Sequence, residues 1–144
     1  EGDSMNPTLV DGDRLFINKL GMYIGEIDRL DVVVFKGKND THYIKRVIGM
    51  PGDRIHFKNN HLYINDQLVS ESYVIEDGYQ QDVTLDTLYG YEKIPESYYF
   101  VLGDNRPNSL DSRQRSIGLV HESKILGSSN LIVWPLNRIQ NVKQ

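Results

Sequence analysis

The sequence predicts a mainly β fold whose antiparallel sheets fold over one another or close, and three observations carry that prediction. Short runs rich in Val, Ile, Tyr and Phe recur along the 144-residue chain. Clusters of Gly, Asn, Asp and Pro separate them. Stretches with helical spacing are few and short. Folding over or closure follows because an open sheet leaves edge strands with unpaired N–H and C=O groups that need protection.

Strand candidates cover residues 14–18, 31–36, 42–48, 53–58, 61–64, 67–69, 98–102 and 130–134. Between them lie Asp11-Gly12-Asp13, Pro51-Gly52-Asp53, Asn59-Asn60 and Gly103-Asp104-Asn105. Gly, Asn and Asp tolerate positive φ and Pro fixes its own, so these are turns. Asn65-Asp66 between two apolar runs predicts a tight hairpin. Only 7–10 and 121–125 invite a helical turn. Residues 56–98 hold 2 basic and 8 acidic side chains, and from 70 to 97 they lack a clean period. Such a charge block reads as a solvated insert, a loop or a small β lobe.

Composition excludes several chemistries. The chain has no cysteine, which removes disulfides, thiol catalysis and Cys-based metal sites. A formal charge of −4 argues against a nucleic-acid partner, which wants clustered positive charge. No apolar run approaches the roughly 18–20 residues that span a bilayer. The chain starts at Glu1 without Met, so the expectation is that a targeting or anchoring segment has been lost upstream. His42, His56, His61 and His121 show no metal-binding spacing, so no metal and no cofactor is expected. Neither a Walker loop, a GxGxxG turn nor a G-x-S-x-G elbow is present.

Three segments remain. In Gly2-Asp3-Ser4-Met5-Asn6-Pro7-Thr8-Leu9, Ser4 ends an extended approach and Pro7 suits a first helical turn. Ser4 is then either an ordinary N-cap or a hydroxyl close to free backbone N–H groups. In Tyr43-Ile44-Lys45-Arg46, strand alternation sets Tyr43, Lys45 and Val47 on one face and Ile44, Arg46 and Ile48 on the other. Lys45 either snorkels to water from an edge strand or is buried. Burial disfavours the ammonium. Bringing a lysine from about 10.4 to about 7–8 corresponds to roughly 4 kcal/mol and makes the amine a workable base. The third segment, residues 103–113, combines Asp104, Arg106, Ser109, Asp111 and Arg113 in a loop suited to internal ion pairs.

Together, and in this order, Ser4-Met5-Asn6-Pro7-Thr8-Leu9, Tyr43-Ile44-Lys45-Arg46 with Gly49-Met50-Pro51-Gly52-Asp53, and the 103–113 loop resemble bacterial type I signal peptidase of the Gram-positive kind. The resemblance implies folded-over antiparallel β-sheets with a small inserted β or loop lobe. It implies a catalytic core from 1–55 and 99–144, and a non-catalytic cap lobe at 56–98. By position, Ser4 becomes the nucleophile and Lys45 the general base of a Ser-Lys dyad that works through an acyl-enzyme. Ser109 would hydrogen-bond and orient the Lys45 amine, and Asp104, Asp111, Arg113 and Arg46 would hold the loop.

The Ser4 N–H is one oxyanion donor; where some family members carry a second, a serine hydroxyl, this chain has Gly2. Substrates would be signal peptides of secreted preproteins, cut after small residues in an Ala-X-Ala pattern. Met5, Leu9, Tyr43 and Ile44 would line the pocket, with Leu15 and Val34 deeper. The other partner would be the lipid bilayer, reached through an N-terminal anchor, with the catalytic domain on the outer face of a bacterial cytoplasmic membrane. Two rival readings are a self-cleaving repressor of the DNA-damage response, which also uses a Ser-Lys dyad, and a non-catalytic β-rich scaffold domain.

Overall fold

A computed structural model of the chain describes residues 2–19, 27–74 and 82–143. The residues 75–81 of the irregular acidic stretch lie outside the described residues. The strands are β1 (Arg14–Leu15), β2 (Val32–Lys36), β3 (His42–Gly49), β4 (Ile55–Lys58), β5 (His61–Ile64), β6 (Gln67–Leu68), β7 (Val83–Thr84), β8 (Tyr98–Leu102), β9 (Val120–His121), β10 (Ile125–Ser129), β11 (Leu131–Trp134) and β12 (Gln140–Asn141). A single short helix, α1 (Leu85–Tyr89), is present among the described residues. They build a central sheet in the order β10-β2-β3-β8-β9, a second in the order β1-β11-β12 and a third in the order β6-β5-β4-β7. All described pairings are antiparallel.

Local turn chemistry sets the hairpins. Asn59 and Asn60 adopt φ of 50° and 64°, and Asn65 and Asp66 adopt 51° and 66°. Two successive residues in the left-handed region twist the chain the way paired strands need, and Asn and Asp accept it. β4 therefore pairs with β5 through Lys58↔His61, and β5 with β6 through Ile64↔Gln67.

The predicted strands at 31–36, 42–48, 61–64 and 98–102 match β2, β3, β5 and β8 closely. Those at 53–58, 67–69 and 130–134 are shorter than expected, because Asp53, Val69 and Asn130 lie outside the ladders. The 14–18 candidate keeps ladder geometry only at Arg14–Leu15, with a register shift between those two residues and an isolated bridge at Asn18. Residues 7–10 form turns, closed by Leu9 N–H donating to the Met5 carbonyl at 2.8 Å. Glu122–Lys124 is the helical turn expected at 121–125, its first turn capped by the His121 ring. Helix α1 starts at a capping box, in which the Thr84 and Thr87 side chains each accept the other's backbone N–H.

Three apolar clusters join the sheets. Ile55, Phe57, Leu62, Tyr73, Leu85 and Ile94 pack with Ile48, Phe100 and Leu102 of the central sheet, so the third sheet and the central one share a core. On another part of the central sheet, Val33, Phe35, Val47, Val101 and Ile125 form a second cluster. Met5, Leu9, Val32, Ile132 and Val142 form the third, which carries the serine segment.

Candidate active site

The Ser4 turn is fixed from below and from the side. Met5 and Leu9 are buried in the third cluster, while Asn6 N–H donates to the Asp3 carbonyl at 3.0 Å. Asn105 then donates its backbone N–H to the Ser4 carbonyl at 3.0 Å and its side-chain amide to the Asp3 carbonyl at 3.0 Å. Ser4 is thus held as part of a turn rather than as a helix N-cap. Its own N–H has no hydrogen-bond partner among the described residues, as an oxyanion donor requires.

Lys45 lies on the second strand in from the sheet edge, opposite Val33, and is only 3% exposed. The exposed-edge reading of this lysine is therefore excluded. Its Nζ donates to Ser4 Oγ at 2.6 Å and to the Ile44 carbonyl at 2.9 Å. Burial pulls the amine down from 10.5 to about 8, against the opposing pull of the Asp111 and Asp104 carboxylates, which favour the ammonium. The arrangement pairs an alcohol with an amine that can lose its proton near neutral pH, which is what proton abstraction from a serine needs.

The 103–113 loop is held by charge pairs. Arg46 reaches Asp104 with Nε at 2.9 Å and Nη2 at 2.6 Å. Arg113 grips Asp111 with Nε and Nη2, each at 2.9 Å, and donates to the Arg106 carbonyl at 2.7 Å. Asp111 in turn accepts the Gly103 N–H at 3.1 Å. A Cβ at Gly103 would collide with the Ser4 carbonyl oxygen and with Ser109 Oγ, so only glycine lets the loop approach the serine turn this closely.

The structure brings Ser4, Lys45, Asp104, Asp111, Arg113 and Arg46 into one neighbourhood, while two further residues sit otherwise than expected. Ser109 Oγ does not bond the Lys45 amine: it is buried beside Gly103 with no hydrogen-bond partner among the described residues. Val34 does not line the cleft; it is 8% exposed and sits opposite Ile44 in the ladder. The cleft itself, about 460 Å³, is lined by Met5, Leu9, Leu15, Tyr43, Ile44, Ser4 and Lys45. It also reaches Asp11, Ile17, His42 and Leu110, which the sequence reading missed. His42 was accessible to it, being one alternation from Ile44 on the same strand; Asp11 and Leu110 carried no signal.

The family description "Signal peptidase, peptidase S26" matches residues 1–134. The chain is 44% identical to signal peptidase I P of Bacillus subtilis subsp. natto, across 99% of this chain and 79% of that protein. It is equally 44% identical to signal peptidase I T of Bacillus subtilis strain 168, across 99% of this chain and 76% of that protein. The chain belongs to the peptidase S26 signal peptidase family. A crystal structure of a signal peptidase I from Enterococcus faecalis V583 superposes with a TM-score of 0.64 at 37% identity, covering 72% of this chain and 97% of that one. The folded-over antiparallel architecture is therefore that of a signal peptidase, and the chain is a serine protease of this family.

No group of three or more His, Cys, Asp or Glu side chains suited to a metal occurs among the described residues. No described helix is long and apolar enough to cross a membrane.

Proposed function

We propose that this signal peptidase removes signal peptides from exported preproteins by a Ser4–Lys45 dyad, cleaving after small residues. The observation that carries the reading is the 2.6 Å contact between Ser4 Oγ and a buried Lys45 amine. Neutral Lys45 takes the Ser4 hydroxyl proton while Oγ bonds to the scissile carbonyl carbon. The Ser4 N–H receives the resulting oxyanion. The Lys45 ammonium then protonates the leaving amine as the C–N bond breaks, which leaves an acyl-enzyme and a neutral lysine. Lys45 next takes a proton from water as its oxygen attacks the ester, and returns that proton to Ser4 Oγ.

Ser109 takes up the Lys45 amine when Ser4 Oγ leaves it for the carbonyl; a buried hydroxyl without a partner in the resting arrangement supports that role. Asp104, Asp111, Arg113 and Arg46 hold the loop and do no chemistry. Gly2 supplies no hydroxyl, and its N–H already donates to Asp11 at 3.0 Å, so the second oxyanion donor is not Gly2. The substrate lies extended along β3, with small side chains admitted between Met5, Leu9, Leu15, Tyr43 and Ile44. In this reading residues 1–55 and 99–144 form the catalytic core, and 56–98 contribute no reacting group.

The second partner is a lipid surface, with the domain attached by an N-terminal anchor to the outer face of the cytoplasmic membrane. Phe16 (62% exposed), Trp134 (47%), Leu136 (69%) and Ile139 (53%) support the surface contact: they lie on or next to the paired strands β1, β11 and β12, and exposed apolar side chains gathered on one sheet mark an interaction site. The test is cleavage of an Ala-X-Ala peptide in trans, with and without detergent. Activity lost in both Ser4→Ala and Lys45→Ala is expected; cleavage surviving in either variant overturns the dyad.

A further inference from the structure

We propose that the acidic 56–98 lobe positions the active-site loop, with Glu71 and Tyr73 acting as positioning residues for the Ser4–Lys45 pair. The inference rests on the dyad reading and assigns the lobe a part in it.

Two paths lead from the lobe to the dyad. Glu71 accepts both Nη groups of Arg106, at 3.0 and 2.6 Å, and the Arg106 side chain is fully buried. Arg106 Nε donates to the Gly103 carbonyl at 2.9 Å. Gly103 is the residue pressed against the Ser4 carbonyl, where no Cβ fits. Glu71 therefore sets, through one guanidinium, the backbone that backs the nucleophile. Along the second path, the Tyr73 ring lies 4.4 Å from the Arg46 guanidinium and 5.9 Å from that of Arg106. Its hydroxyl donates to Glu71 at 3.3 Å. Arg46 follows Lys45 in β3 and holds Asp104, the neighbour of Gly103.

The ring face attracts both guanidinium groups, and the carboxylates of Glu71 and Asp104 offset their mutual repulsion. From a different direction Tyr89, on α1, donates its hydroxyl to the Ser112 carbonyl in the same loop. The lobe thus grips the loop at both Arg106 and Ser112. None of these three lobe residues lines the cleft. Their effect should fall on the chemical step and leave substrate affinity alone, because a displacement of about 1 Å in a reacting group can cost as much as 100-fold.

The experiment measures kcat and KM separately on an Ala-X-Ala peptide for the full chain and for Glu71→Gln, Glu71→Asp, Tyr73→Leu and Tyr73→Phe. Each variant is assayed well below its melting temperature, beside Ser4→Ala as the inactive control. Glu71→Gln and Tyr73→Leu should lose about 10- to 100-fold in kcat with KM within twofold. Glu71→Asp and Tyr73→Phe, which keep the charge and the ring, should recover most of it. An unchanged kcat in folded Glu71→Gln or Tyr73→Leu overturns the proposal. So does a loss confined to KM, or one that vanishes when the assay is cooled. A Tyr73→Phe loss as deep as that of Tyr73→Leu overturns the ring contact. If Glu71→Gln does not fold, the Tyr73 pair decides. Cleavage by Ser4→Ala would instead overturn the dyad itself, a result separable from all of these.

Discussion

Arg46 and Asp104 form a two-pronged ion pair in which neither side chain has any exposure, one residue along the strand from Lys45. Arg46 also donates to the Leu30 carbonyl at 3.0 Å and the Val142 carbonyl at 2.8 Å, so one guanidinium ties four segments together. Removing one member of such a pair leaves the other buried and uncompensated, at a cost of about 3–5 kcal/mol. Asp104→Asn should therefore lower the unfolding free energy by that amount in urea titration. A change below about 1 kcal/mol would show that the pair is dispensable.

Activity should follow the neutral fraction of Lys45. With the amine at about 8, roughly a tenth is neutral at pH 7, so kcat/KM should rise about tenfold per unit below 8 and flatten above it. The Asp111 carboxylate favours the ammonium. Asp111→Asn should then move the midpoint to lower pH, even as the loss of the Gly103 and Arg113 contacts lowers the plateau. A midpoint moved upward in the pH profile of this variant would contradict the electrostatic assignment.

The same burial has a consequence for stability. The folded chain binds fewer protons than the unfolded one between about 8 and 10.5, so stability rises with pH across that window and the penalty is fully present below it. The gap is worth roughly 3 kcal/mol. At pH 6 the amine is charged, and its bonds to Ser4 Oγ and the Ile44 carbonyl, about 1.5–3 kcal/mol each, offset that penalty. Relative to the parent protein, Lys45→Met should therefore stand best at pH 6 and lose ground by up to about 3 kcal/mol towards pH 10. Calorimetry that gave one constant offset at all pH values would rule this out.

Gly103→Ala should abolish cleavage while the protein stays folded. The added methyl meets the Ser4 carbonyl oxygen, which is backbone and cannot rotate away. Active-site labelling of Ser4 should be slowed at least as strongly as turnover; normal labelling would mean the loop has room to spare.

The exposed apolar residues at the end of β11 and just after it predict a membrane effect. Trp134→Ser with Leu136→Ser, neither of which lines the cleft, should weaken binding to anionic vesicles about tenfold without altering cleavage of a soluble peptide. Equal vesicle binding by sedimentation would remove the lipid surface from the reading.

Much of this was legible in the chain itself. The hairpins at Asn59-Asn60 and Asn65-Asp66 follow from two residues' tolerance of positive φ. The strands β2, β3 and β8 follow from dense β-branched and aromatic runs. By contrast β7, β9 and β12 are two residues long, and β10 (Ile125–Ser129) is rich in Gly and Ser, so they exist because a neighbouring strand offers them a ladder. The shared core between the third sheet and the central one had no local sign either.

What the sequence determined alone was local: which residues turn, which alternate, and which side chains of the serine, lysine and loop segments stand in order along the chain. Their type and spacing settle these, through sterics and hydrogen bonds within a few residues. The tertiary structure alone decided that Lys45 is dry, that Ser4 meets it across 41 positions, that Ser109 turns towards Gly103, and that Glu71 and Tyr73 reach Arg106 and Arg46. Each of these depends on how much water and which distant charges surround a group, and only the packed sheets fix that.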